Sequence, residues 1–118
     1  MKAYIINTDG TGGVVEFDHA GASYSIMQNA VGGYFECVSL SDDLDMWVNE
    51  EGKLVGLPVN VIGTRMWRAA FGPTDIIVGN IIFTGGADDN GDTLGLSDRH
   101  VDRLDEVRLA YLTAMAGA

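Results

Sequence analysis

The sequence predicts a single α+β domain: a mixed, mostly antiparallel sheet of about five to seven strands packed against three helices. Three observations lead to this fold class. The chain has 118 residues and is 47% apolar, which is enough for one hydrophobic core. Short β-branched runs alternate with segments whose apolar residues recur every three or four positions. No repeat or long linker divides the chain, so residues 1–118 form one domain in the predicted order ββα-βββ-α-β(β)-α.

The first third of the chain predicts a hairpin followed by a helix. Ala3–Thr8 and Val14–Phe17 are rich in strand-forming residues and flank a glycine-rich turn. From Asp18, the expected cap, apolar residues recur at helical spacing as far as Val31. The Gly32-Gly33 pair then stops the helix, because glycine readily adopts positive φ.

The next segment predicts three strands. Tyr34–Leu40 and Met46–Val48 have the aromatic and β-branched content of strands and are separated by an acidic break. Glu51-Gly52 reads as a hairpin tip, after which Lys53–Val55 is expected to return as a short partner strand.

Asn60 is predicted to cap a helix over Val61–Ala70, which Gly63 weakens and which ends before Gly72-Pro73. Ile76–Thr84 is the most hydrophobic run and predicts a buried central strand.

Inside that run, Gly79 indicates a bulge or a close approach by another backbone. Thr93–Leu96 is expected to form a brief edge strand. Ser97 and Asp98 begin the last helix, whose apolar face runs from Val101 to Met115.

Composition excludes several classes of function. With 17 acidic and 7 basic residues and a net charge of −10, the chain is a poor match for the phosphates of nucleic acids. Its single cysteine rules out an intramolecular disulfide and favours a reducing compartment, for which the cytoplasm fits best. No apolar run approaches the length of a membrane span.

Metal and cofactor sites are not expected. The ADDNGD loop fails the EF-hand template, because Thr93 stands where the loop needs glycine and Arg99 where it needs glutamate. Neither His19 nor His100 has a second ligand at metal-site spacing. Cys37 is predicted to be a buried, inert thiol in a strand.

Candidate binding residues come from charged and polar positions in the middle of the chain. Arg65 and Arg68 flank Trp67 on the middle helix and form either an anion or nucleotide site or an ordinary cationic helix face. The acidic clusters either keep the protein in solution or steer it to a basic partner. The candidate set is Glu36, Asn49, Lys53, Asn60, Arg65, Arg68 and Asp75.

Several short motifs together resemble a known family. They are VGGYFE from Val31, NEEGKL from Asn49, GLP with Asn60 close behind, DIIVG from Asp75, and Leu96-Ser97 before a helix. From Val31 to Leu104 the chain resembles DUF3846, a family of unknown function found largely in phages, plasmids and their bacterial hosts. The family pattern usually has aspartate where this chain has Asn49, which weakens any cation site at that corner.

The resemblance brings no catalytic residues. It implies a compact accessory protein of a mobile element that acts on host factors, with counter-defence as one such role. We therefore expect a non-enzymatic protein that binds and modulates a host component, either a host protein through its acidic face or a small nucleotide in a pocket. The alternatives are a small enzyme with Asp75 or Glu36 as general base, and a homo-oligomer whose seam uses Trp47 or Trp67.

Overall fold

The computed structural model describes residues 1–117 and confirms the α+β class. Five strands form one antiparallel sheet, with one helix on one face and two helices on the other. The elements are β1 (Lys2–Ile6), β2 (Gly12–Glu16), α1 (Ala20–Val31), β3 (Phe35–Ser41), β4 (Leu44–Asn49), α2 (Val61–Phe71), β5 (Ile81–Thr84) and α3 (Asp98–Ala116). Among residues 1–117, every helix falls short of the length and apolar content that crossing a bilayer requires.

The strand order is β2-β1-β5-β4-β3, so β5 lies at the centre of the sheet, as its hydrophobicity predicts. Successive side chains of a strand point to opposite faces, and this alternation divides the core in two. Tyr4 and Phe83 pack on the face covered by α2 and α3. Ala3 and Ile82 pack on the face covered by α1.

The central strand is shorter than the sequence predicts. Only its last four residues, Ile81 to Thr84, join the sheet. Gly79 adopts a φ of +81° and turns the chain, and a Cβ at this position would lie 2.8 Å from Leu57 Cδ1. The close approach predicted at Gly79 is therefore made by a side chain, and residues 76–80 form an irregular segment that enters the sheet.

Two further strand predictions are also wrong. Lys53–Val55 lies in a turn whose hydrogen bonds are local, from Val55 N–H to Glu51 O at 3.0 Å and from Leu57 N–H to Gly52 O at 2.9 Å. Thr93–Leu96 contributes only one isolated bridge, between Thr93 and Ala87. The backbone of the first segment is used within its own turn. Leu94 exchanges hydrogen bonds only with Gly85 and Gly86, beyond the end of β5, so neither segment becomes a strand.

The helix boundaries follow the predicted caps in two of three cases. Ser97 caps α3 by accepting a hydrogen bond from the backbone N–H of His100 at 3.2 Å. Asp18 does not cap α1: the N-cap position is His19, which makes no side-chain capping bond. Gly32 ends α1 in the left-handed conformation, as predicted.

Asn60 caps α2 and also joins it to the sheet. Its side-chain oxygen accepts from Gly63 N–H at 2.9 Å, while its amide donates to Ile6 O and to Gly79 O, each at 3.0 Å. The side chain is only 1% exposed. Gly63 completes this junction, since a Cβ there would lie 2.8 Å from Ile81 Cδ1. The glycine that weakens the helix locally therefore lets α2 approach β5 closely.

A second polar junction anchors α3 to the sheet. The hydroxyl of the buried Tyr4 donates to the carboxylate of Asp105 and accepts from Arg108 Nε at 2.9 Å. Burial, the largest cause, raises the pKa of Tyr4, so this hydroxyl stays protonated. Both hydrogen bonds of the Tyr4 hydroxyl are thus made with side chains of α3.

Replacing Asn60 with alanine is expected to lower the free energy of unfolding by about 2–4 kcal/mol, because three buried backbone groups lose their partner. Urea unfolding followed by circular dichroism measures the change. Asn29→Ala, at an exposed position of α1, is the matched control and is expected to stay within about 0.5 kcal/mol of the wild type. Equal unfolding midpoints for the two variants would contradict the role given to Asn60.

Candidate functional site

A cleft of about 440 Å³ opens on the α2 side of the sheet, beside edge strand β3. Its floor is formed by the β3–β4 hairpin, and its other sides by the turn after β4, the last turns of α2 and the irregular segment 75–78. The volume lies within the range of about 300–1,000 Å³ that is usual for ligand sites. The cleft is therefore large enough to receive one or two side chains of a partner.

The large apolar side chains of the cleft lining, here called the apolar wall, are Leu54, Trp67, Phe71 and Ile76. The rings of Trp67 and Phe71 lie 4.5 Å apart, and Trp67 Nε1 donates to Thr74 Oγ1 at 3.0 Å, which fixes the indole. Leu54 is 89% exposed, Ile76 52% and Phe71 45%. Exposed apolar side chains gathered around one cleft are a feature of interaction sites.

The carboxylates of the cleft lining, here called the acidic rim, belong to Glu36, Glu50 and Asp75. Asp75 forms an ion pair with Lys53 and accepts a hydrogen bond from Ile76 N–H at 2.8 Å. The bond to Lys53, followed by that to Ile76, lowers the pKa of Asp75. The cleft lining therefore holds three carboxylates and one ammonium group, which is already paired with Asp75.

Asn49 positions the turn that carries Leu54. Its amide donates to Val31 O at 3.0 Å, and its side-chain oxygen accepts from Glu51 N–H at 2.8 Å. The residue thus ties the turn to the end of α1. Asn49 lines the cleft, but its polar atoms are used for this structural contact.

The structure brings together four residues of the candidate set predicted from the sequence. Glu36, Asn49, Lys53 and Asp75 all line the cleft. The other three do not. Asn60 is buried in the core, Arg65 is exposed on α2 outside the cleft, and Arg68 lies in a neighbouring shallow depression with Lys53 and Asp75.

Sequence reasoning missed most of the apolar wall. Leu54 was assigned to a strand and Ile76 to a buried run, whereas both are exposed beside the cleft. Trp67 was recognised only as a core or interface residue. The available signal is the apolar pair Leu54-Val55, which follows the turn Glu50-Glu51-Gly52 after a single lysine, at a position where polar residues are usual.

Trp47, the other residue considered for a homo-oligomer seam, contributes to the α1 face of the core. Its ring meets Phe35 edge-on with the centroids 5.4 Å apart, and its Nε1 donates to Thr84 Oγ1 at 2.8 Å. Both the indole N–H and the ring of Trp47 therefore make contacts within the chain.

Cys37 is exposed, which corrects the prediction of a buried thiol. It lies on edge strand β3, where no further strand covers it. Its pKa is nevertheless raised to about 11, first by loss of water around the sulfur and then by the charge and hydrogen bond of the neighbouring Asp45. The thiol of this exposed residue is therefore expected to be protonated and slow to react near neutral pH.

Within residues 1–117, no three histidine, cysteine or acidic side chains gather closely enough to hold a metal ion. The ADDNGD loop is closed by its own backbone, as Asp88 accepts from the N–H groups of Asn90 at 2.9 Å and Asp92 at 3.0 Å. The loop thus has the geometry of a turn.

Comparison with known proteins identifies one related family. The family model described as "Domain of unknown function (DUF3846)" matches residues 1–108. The match extends beyond the motifs between Val31 and Leu104 to include the β1–β2 hairpin. No curated protein and no solved structure matches the chain.

Cys37 is expected to react with an aromatic disulfide reagent at pH 8 about tenfold more slowly than free N-acetylcysteine. The scarcity of thiolate slows the reaction, and the greater nucleophilicity of a basic thiolate offsets part of that loss. Asp45→Asn removes the negative charge and is expected to accelerate the reaction, whereas Asp42→Asn, at an exposed neighbouring acid, is the control. A wild-type rate equal to that of the free thiol would contradict the raised pKa.

Proposed function

We propose that this chain, which belongs to the DUF3846 family, is a non-enzymatic accessory protein of a phage or other mobile element that binds a host protein. The partner presents a basic and apolar segment, which enters the cleft beside β3. The observation that carries this proposal is the pairing of an exposed apolar wall with an acidic rim in a single cleft. By binding this segment, the chain would block the host protein's own use of it. Such blocking would modulate the host protein, and a counter-defence role is one form that this could take.

The apolar wall supports a protein partner. Fully burying a leucine or phenylalanine side chain is worth about 1.5–3 kcal/mol, and Leu54 and Phe71 are largely available for such burial. Interfaces typically depend on a few buried aromatic and apolar anchors. A partner side chain inserted between Leu54 and Phe71 would supply most of the affinity.

The charge of the molecule supports a basic partner. The net charge is −10, and the acidic rim places carboxylates at the mouth of the cleft. Such a field attracts cationic segments and raises their association rate, particularly at low salt. Lysine or arginine residues beside the apolar anchor would meet Glu36 and Glu50.

A nucleotide is the less well supported ligand. Phosphate sites use free cations or the N-terminus of a helix, whereas the end of α2 beside this cleft is its C-terminus, which carries a partial negative charge. Lys53 is already paired with Asp75. The remaining nearby cation, Arg68, faces a separate shallow depression.

The role of Asp75 as general base is also less well supported than binding. A general base works best when its pKa lies near the working pH, whereas contact with Lys53 lowers the pKa of Asp75. The same contact fixes the carboxylate at the wall of the cleft. Its geometry therefore suits recognition better than proton transfer.

Site-specific photocrosslinking tests the proposal. A photoreactive amino acid at Leu54 is expected to form one discrete adduct with a host protein in lysate, and Phe71→Glu in the same chain is expected to abolish it. The matched control places the photoreactive group at Leu109, which is 52% exposed on α3, an element that contributes no cleft residue.

Leu54→Glu and Leu109→Glu then distinguish the cleft from general surface hydrophobicity. We expect the first variant to lose the partner in affinity recovery and the second to retain it. The proposal is wrong if Leu54→Glu and Phe71→Glu recover the same proteins as the wild type, in equal amounts.

A further inference from the structure

We infer that the partner segment binds as an extended strand that pairs with the free edge of β3 and so adds a sixth strand to the sheet. The partner is a protein segment in which basic and apolar residues alternate. This inference rests on the proposed function of the cleft and specifies how the cleft is used. It adds main-chain hydrogen bonds to the side-chain contacts described above.

The outer edge of β3 has backbone groups available for pairing. β3 pairs only with β4, in the register Phe35 with Asn49 and Cys37 with Trp47. Tyr34 O accepts from Glu50 N–H at 2.9 Å, which makes that pair a hydrogen-bonded one. Because such pairs alternate along an antiparallel ladder, the N–H and C=O groups of Phe35 and Cys37 point away from the sheet.

The cleft lies where the side chains of an added strand would project. Glu36 and Val38 lie on the same face of the sheet as Val48, and all three line the cleft. A strand paired with β3 would run about 4.8 Å from it and send every second side chain onto this face. Those side chains would enter the groove between β3 and α2, the arrangement used when a peptide extends a sheet beside a helix.

The two edge strands, β3 and β2, differ in how well they can pair with an added strand. Natural edges are commonly blocked by lysine, proline, bulges or short length. β3 is seven residues long, contains no lysine or proline, and departs from regular register only between Ser39 and Ser41. The other edge, β2, has five residues and begins with Gly12 and Gly13 at φ values of +149° and +142°.

Charge selects the chemistry of the added strand. Glu36 is the only charged residue of β3, and Glu50 and Asp75 line the same cleft. Lysine or arginine at every second position of the partner would meet these carboxylates, and an apolar residue would reach Phe71. A second copy of this chain would bring a further charge of −10 to the same edge and is disfavoured.

The probe is a fluorescent octapeptide in which valine and lysine alternate, titrated against the folded chain and followed by anisotropy. We expect saturable binding and slower amide hydrogen exchange at Phe35 and Cys37, the residues whose N–H groups point outward. A peptide that alternates valine and glutamate is expected not to bind. Absence of saturable binding by the valine–lysine peptide would overturn the inference.

Cys37→Pro tests the edge directly. Proline removes the outward N–H at this position and leaves the bonds from β3 to β4 intact. We expect about a tenfold or greater loss of peptide affinity. Cys37→Ala controls for loss of the thiol, and Val14→Pro removes the equivalent outward N–H at β2; both are expected to bind like the wild type.

A probe with every backbone nitrogen methylated repeats the test without altering the protein, and we expect it to bind at least about tenfold more weakly. If Leu54→Glu abolishes binding while Cys37→Pro and methylation do not, the cleft binds the segment but strand addition is wrong. Concentration-dependent protection of the Phe35 and Cys37 amides without peptide would show that a second copy occupies the edge, which also overturns the inference.

Discussion

The buried side chain of Asn60 is the contact on which the arrangement of this molecule depends. It joins the end of β1, the turn before β5 and the first turn of α2 through three hydrogen bonds. A buried polar group without partners is costly, so these bonds hold the three segments together strongly. The position of α2 over the sheet, and with it that of Trp67 and Phe71, follows from this one side chain.

The cleft exists because α2 ends at Phe71 without covering the edge of the sheet. The chain then returns through an irregular segment, and the turn after β4 faces it across the gap. Irregular segments on a rigid sheet commonly carry binding sites, because their side chains need not contribute to the core. Asn49 ties the turn after β4 to the end of α1, and Lys53 of that turn contacts Asp75 of the irregular segment, so the cleft is already formed in the free chain.

In the proposed mode of binding, charge and strand pairing act together at the same edge. The acidic rim would attract cationic segments over a distance, whereas the backbone of β3 would discriminate by shape once a segment arrives. The remaining acidic residues would repel a second copy of the chain and so limit pairing between two β3 edges. A free edge is thus compatible with a protein that stays dispersed until it meets a basic partner.

Local patterns in the sequence determined much of this protein. The three helices, the cap at Asn60, the hydrophobicity of the central strand and the excess of acidic residues all follow from neighbouring residues and composition. Four residues of the cleft were also selected, because charged and turn-forming positions are visible in the sequence. These features depend on short-range geometry and on the summed charge.

Only the tertiary structure decided which segments pack against other segments and which face solvent. Leu54 resembles a strand residue, but the backbone around it is hydrogen-bonded within its own turn, and so its side chain is exposed. Cys37 resembles a core residue, but β3 lies at the edge of the sheet and leaves it partly in solvent. Burial depends on contacts between residues distant in sequence, and the periodicity of a single segment carries no record of those contacts.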